Sequence, residues 1–201
     1  MGIYLNPENV DFQEVLNSKI YVDKSELIQY TNSVLRTTQK YICVSRPRRF
    51  GKSMAANMLT AYYSRGCNSR GLFQGLKIAT HPDFEKHLNQ YNVIHLNMRD
   101  YLTESENMKQ LIQFVEDDLL DELQQEFSDL RMPRRKTLVK VLEQAFAQYK
   151  IPFVFIIDEW DCIFRVHKSD AASQKDYLDF LRNLLKDKSY IALAYMIGIL
   201  P

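Results

Sequence analysis

Five consecutive apolar residues, Phe153-Val154-Phe155-Ile156-Ile157, run directly into two carboxylates, Asp158 and Glu159. An uninterrupted run of this length suits a strand buried on both faces of a parallel sheet, and parallel strands need long, usually helical, crossovers. Three more strand candidates follow from short apolar, β-branched stretches: Tyr41–Val44, Val93–Leu96 and Ile191–Ile197. Helical spacing fills the intervals. Ala55, Met58, Leu59 and Tyr62 make one face, with Gly66 as the expected terminator. Leu111, Ile112, Val115, Leu119 and Leu123 make a second, Leu138, Leu142, Ala145, Phe146 and Tyr149 a third, and Tyr177, Phe180, Leu181, Leu184 and Leu185 a fourth. Strands alternating with helices predict an α/β fold, a mainly parallel sheet covered by helices on both faces.

With 201 residues, 46% of them hydrophobic, the chain is long enough for one domain with a sizeable core. Lys plus Arg number 26 against 25 for Asp plus Glu, so no global field draws the chain to nucleic acid or a membrane surface. No apolar run is long enough for a membrane span. Cys43, Cys67 and Cys162 show neither CxxC nor Cys/His metal spacing, which predicts reduced thiols and a cytoplasmic protein.

The segment Ser45-Arg46-Pro47-Arg48-Arg49-Phe50-Gly51-Lys52-Ser53 follows the first strand and opens the first long helix. This is the context of a phosphate-binding loop (P-loop). Amides at a helix start point toward an anion and the helix dipole favours negative charge there. Gly51 permits close backbone approach, Lys52 is placed to reach the β- and γ-phosphates, and Ser53 offers a hydroxyl to Mg²⁺. Arg48, Arg49, Phe50 and Met54 complete the expected nucleotide-binding stretch. The usual pattern has glycine where Arg46 stands, and a chance Gly-Lys-Ser at a helix start is the alternative.

The carboxylates after Ile157 weigh against chance. Asp158 is the expected Mg²⁺ partner and Glu159 the expected base for an attacking water, with Lys52 completing the catalytic pair; a strand end entering solvent is the alternative reading. The strand Val93–Leu96 between the two motifs matches the P-loop group with an inserted strand and a catalytic glutamate. Asp23 is either a cap for a helix starting near Ser25 or part of the nucleotide pocket. His95 reads as a core histidine. Asp161 reads as a support for the metal site or a partner for a nearby amide. Met132–Lys136 reads as a solvated basic turn.

Taken together, Tyr21–Ser25, Arg46–Ser53, Leu72–Leu76, Ile157–Asp161 and Gly198–Pro201 resemble the bacterial AAA-ATPase-like family, over essentially the whole chain. The resemblance implies a Mg-dependent ATPase domain using ATP, commonly followed by a nuclease-like domain of the PD-(D/E)XK type, and it makes Arg46 a family trait. The chain departs from the family at Trp160, usually tyrosine, and at Ile197, often threonine, where a polar sensor of the γ-phosphate is expected. The expected organisation is a leading segment, 1–40, that covers the nucleotide base, and an ATPase core, 41–201, ending before its last strand and lid. Such a piece is expected to bind ATP, to turn it over slowly for want of arginines from the lid or a neighbouring subunit, and to self-associate through an open sheet edge. The alternatives are a nucleotide-binding module without hydrolysis, and a nucleic-acid-binding module using Arg46–Arg49.

Overall fold

The computed structural model describes residues 2–47 and 49–199. Two short helices, α1 (Val10–Leu16) and α2 (Glu26–Val34), precede the first strand, β1 (Tyr41–Ser45). Then follow α3 (Lys52–Tyr63), α4 (Arg70–Phe73), a 3₁₀ turn (Lys77–Thr80), α5 (Phe84–His87) and β2 (Asn92–Asn97). The second half comprises α6 (Met98–Glu104), α7 (Met108–Glu126), α8 (Leu138–Tyr149), β3 (Phe153–Asp158), α9 (Cys162–Val166), α10 (Ala171–Leu185) and β4 (Ile191–Gly198). The strands form one parallel sheet in the order β1-β4-β3-β2. The α/β expectation therefore holds, with the four strands where the apolar runs put them.

Strand alternation divides the core into two layers. Phe153, Phe155 and Ile157 face α7, α8 and α10, together with Ile94, Leu96 and Ala194. Val154 and Ile156 face α2 and α3, together with Val93, Tyr195 and Ile197. All six residues of β3 are buried, as a central strand under helices on both sides must be. A register shift lies opposite Phe153/Val154, and it turns both Ala192 and Leu193 toward the α3 layer. The Ala192 carbonyl accepts from the Arg36 amide at 2.9 Å, so the irregularity leaves that carbonyl paired.

Burial of α3 goes beyond the expected face: Thr60, Ala61, Tyr62 and Tyr63 are all buried. Tyr62 donates to the Phe84 carbonyl at 2.7 Å and Tyr63 donates to Asn32 Oδ1 at 2.8 Å. Hydroxyls that find partners let the outer side of the helix be covered by α2 and α5. The helix ends at Tyr63, ahead of Gly66, because Ser64 turns extended and bridges Tyr91.

The leading segment is woven into the sheet's outer edge. Tyr4 and Asn6 bond the backbone of β2, and the Ile3, Tyr4 and Leu5 amides converge on the Glu122 carboxylate. Asp23 does not cap α2. Its carboxylate accepts from the Ser25 amide at 2.8 Å and the Lys77 amide at 2.9 Å, tying the start of α2 to the 3₁₀ turn. At the opposite edge, β1 is half exposed.

Candidate phosphate and metal site

All four strands end on one side of the sheet, where ligands bind open parallel sheets. The loop after β1 is fastened there. The Arg46 amide donates to the Gly198 carbonyl at 3.2 Å, and Ser45 Oγ donates to the Ile199 carbonyl at 3.1 Å. Left-handed backbone falls at Arg49 (φ 70°) and Gly51 (φ 70°), not at Arg46, so arginine meets no strain where glycine is usual. Gly51 leads into α3, whose first turn carries no acidic residue. The positive end of that helix dipole is therefore not neutralised from within.

A cavity of about 620 Å³ opens at this end. Of the residues expected from the sequence, Arg49, Gly51, Lys52, Ser53, Met54, Asp158 and Glu159 all line it. Phe50 does not; the residue is 61% exposed and its carbonyl accepts from Lys24 Nζ at 2.8 Å. Arg48 lies outside the described residues. Lys52 Nζ donates to the Pro47 carbonyl at 2.9 Å, closing the loop on itself.

The two motifs meet at a hydrogen bond. Ser53 Oγ donates to Asp158 Oδ2 at 2.7 Å, although 105 positions separate the residues. Asp158 is buried, and its other oxygen accepts from the Glu159 amide at 2.8 Å, so its desolvated charge is fully partnered. Asp158 stands in register with Asn97 on β2 and Ile197 on β4. Ile197 is buried in the α3 layer, so the strand beside Asp158 presents no polar group from that position.

Glu159 occupies left-handed backbone at φ 53°, unusual for a residue with a side chain and a common mark of functional turns. Its carboxylate forms an ion pair with Arg165 on α9. Arg165 also reaches Asp161 at 3.2 Å, and Asp161 accepts from the Ile199 amide at 2.7 Å. Asp161 thus supports the strand end and the arginine. Burial works against the Arg165 charge, but the bond to Glu159 and the neighbouring Asp161 charge more than offset it and raise its pKa. His95 is partnered within the fold, as the reading of it as a core histidine expects. Its Nδ1 pairs with Thr60 Oγ1 at 3.1 Å, and burial lowers its pKa below the ordinary histidine value.

The packing at the end of β4 is tight enough to predict a mutation. A Cβ on Gly198 would stand 2.8 Å from Asp161 Cγ and 2.8 Å from Trp160 Nε1. Gly198→Ala is expected to destabilise the fold by about 1–3 kcal/mol, read by denaturant unfolding. Gly71→Ala, which meets open space, is the control.

Sequence reading missed four residues around the loop: Lys24 behind it, and Asn97, Arg99 and Arg165 within the cavity. Asn97 and Arg99 carried a usable signal, since they follow the C-terminal end of a predicted strand. Arg165 carried none.

A second, larger hollow of about 750 Å³ lies over β1 and α10, among Tyr41, Trp160, Leu178, Leu185 and Met196. Lys175, Asp179, Arg182 and Lys186 also line it, but neither the loop after β1 nor the carboxylates after β3 reach it.

The family described as Predicted AAA-ATPase, AAA-ATPase-like, matches residues 10–201. The chain belongs to the AAA-ATPase-like family. Membership of this AAA-ATPase-like family is consistent with an ATP-binding module. No curated protein matches the sequence. Among the described residues no helix is long and apolar enough to cross a membrane, and no cluster of three or more His, Cys, Asp or Glu side chains could hold a metal.

Proposed function

We propose that this chain binds Mg·ATP at the strand ends and is the nucleotide-driven part of a switch that acts on an attached effector. The observation that carries the reading is the Ser53–Asp158 hydrogen bond, which puts a helix-start hydroxyl and a strand-end carboxylate at one point beside Lys52 and Glu159. Few structures need a hydroxyl, two carboxylates and a lysine around one polar cavity, and phosphate chemistry is one that does.

The donor set suits Mg²⁺. Ser53 and Asp158 offer hard oxygens, and Mg²⁺ is commonly held by one or two protein oxygens with phosphate and water making up the rest, so a three-carboxylate cluster is not required. When bound, the ion supplies charge neutralisation at the phosphate oxygens. The Gly51 backbone and the start of α3 receive the phosphates. Lys52 leaves the Pro47 carbonyl for the β- and γ-phosphates, and Arg49 and Met54 line the cavity beside it. Glu159 accepts a proton from water as its oxygen attacks the γ-phosphorus, and the bond to the β-phosphate oxygen breaks, leaving ADP and phosphate. The leading segment, 1–40, covers the base beside the core, 41–201. Lys24, bonded to the Phe50 carbonyl, and the exposed side chains of Val22 and Phe50 support that role.

The further strand, the lid and a nuclease-like domain as effector follow from the family resemblance. The half-exposed β1 supports either strand addition or self-association at that edge. The cytoplasm suits a chain whose three cysteines are all free.

A second reading, nucleotide binding without turnover, draws on Ile197 beside Asp158 and on the engagement of Glu159 with Arg165. The experiment that separates the two is single-turnover hydrolysis beside calorimetric ATP binding. Binding with no phosphate release selects the second reading, and no binding removes both. Asp158→Asn is expected to raise the Mg²⁺ concentration needed for half-maximal ATP binding by about 10- to 100-fold. A Mg²⁺ titration coincident with wild type would remove Asp158 from the metal site.

A further inference from the structure

The role given to Glu159 conflicts with its surroundings. A base that must take a proton from water is instead ion-paired to Arg165. Arg165 lines the same cavity as Lys52 and Ser53, and its side chain is only 16% exposed. Its Nε is buried without a hydrogen-bond partner among the described residues. Arginine presents five donors in a rigid fork that matches phosphate as well as carboxylate. This one therefore has unused donor capacity and lines the cavity that Lys52 and Ser53 also line.

We infer that Arg165 is the residue by which this site distinguishes a nucleoside triphosphate from a diphosphate, exchanging Glu159 for the terminal phosphate when a triphosphate enters. The inference rests on the nucleotide reading given above. Its physical basis is competition. A terminal phosphate carries more negative charge than one carboxylate and offers three oxygens to the guanidinium. Asp161 stays with Arg165 throughout, because it is buried and also holds the Ile199 amide. The exchange then needs only the Glu159 contact to break, a movement at the end of one side chain. A diphosphate leaves the terminal position empty, so the ion pair persists. The same exchange frees the Glu159 carboxylate only when there is a terminal phosphate to attack. The sequence reading looked outside these 201 residues for an arginine of this kind; Arg165 lies within them.

Calorimetric titration of the full chain with Mg·ATP and, separately, Mg·ADP tests this in wild type, Arg165→Ala, Glu159→Gln and the double variant. Arg165→Ala is expected to lose about 10-fold or more in ATP affinity, the worth of a charged hydrogen bond, and to keep its ADP affinity. Glu159→Gln weakens the competing pair, so ATP affinity rises while ADP affinity holds. That gain disappears in the Arg165→Ala background, as coupling through one shared partner requires. Equal losses for ATP and ADP in Arg165→Ala overturn the inference and leave Arg165 a structural residue. A Glu159→Gln gain that survives without the arginine overturns it too. If Arg165→Ala does not fold, the ATP-to-ADP affinity ratio of Glu159→Gln decides alone: a rise supports the exchange, and an unchanged ratio ends it. Failure of the nucleotide reading looks different, with neither nucleotide binding wild type, or with Lys52→Ala binding as wild type does.

Discussion

Lys52→Ala is expected to lower ATP affinity by about 10- to 100-fold, the range for losing a charge-assisted hydrogen bond to phosphate. The residue stands at the start of α3, immediately after the left-handed Gly51, and its ammonium already bridges the loop to the Pro47 carbonyl. That contact has two consequences. It shows that the side chain reaches back over the loop, where an anion held by the helix start would lie. It also means that binding exchanges a neutral carbonyl for a doubly charged phosphate group, a favourable trade for an ammonium. The loss should be felt by ADP as well, though less, because the β-phosphate remains. The fold should survive, since the ammonium is outside both core layers and its partner among the described residues is an exposed loop carbonyl. Calorimetry on the folded variant is the measurement. An ATP affinity equal to wild type would remove the loop after β1 as the phosphate site.

Glu159→Gln is expected to slow single-turnover hydrolysis by about 10²–10⁴-fold. Glutamine keeps the shape of the side chain but cannot take the proton that water must lose as it attacks. The cavity walls should be little changed. Glu159 sits in left-handed backbone whose amide is fixed by Asp158 Oδ1, and Asp161 continues to hold Arg165. Binding should therefore be retained, which separates this variant from Lys52→Ala: one binds and does not turn over, the other fails at binding. Quenched-flow measurement of phosphate release from pre-bound Mg·ATP gives the rate directly. Turnover at the wild-type rate would show that another group, or none, accepts the proton.

The parallel sheet, and the residues that line the candidate site, were largely legible in the chain because both are local in sequence. Phe153–Ile157 has no polar residue to place on a solvated face, so it had to be a strand covered on both sides, and β3 is buried throughout. Gly51-Lys52-Ser53 and Asp158-Glu159 each follow a strand directly. Strand ends in a parallel sheet converge, and this is why two motifs so far apart in sequence could be assigned to one place. What the sequence did not carry was the spatial order of the strands. In β1-β4-β3-β2 strand β4 enters between β1 and β3, a consequence of pairing energies spread along most of β4. That insertion sets Ile197 beside Asp158 and Gly198 against Asp161 and Trp160.

The arginines show the same limit at the scale of one side chain. Arg46, Arg48 and Arg49 lie close in sequence, yet only tertiary structure could show that Arg49 lines the cavity and that Arg46 contributes its backbone amide to Gly198. Arg165 is a single basic residue on a five-residue helix, with no spacing or neighbour that marks it. The ion pair proposed to matter follows the turn after β3, where Glu159 takes left-handed backbone shortly before α9 begins. A long, flexible side chain is positioned by whatever its backbone packs against, and that is decided by the assembled core. The local pattern thus marked the residues proposed to carry phosphate and metal chemistry. Only the packed sheet decided which arginine meets the carboxylate proposed as base.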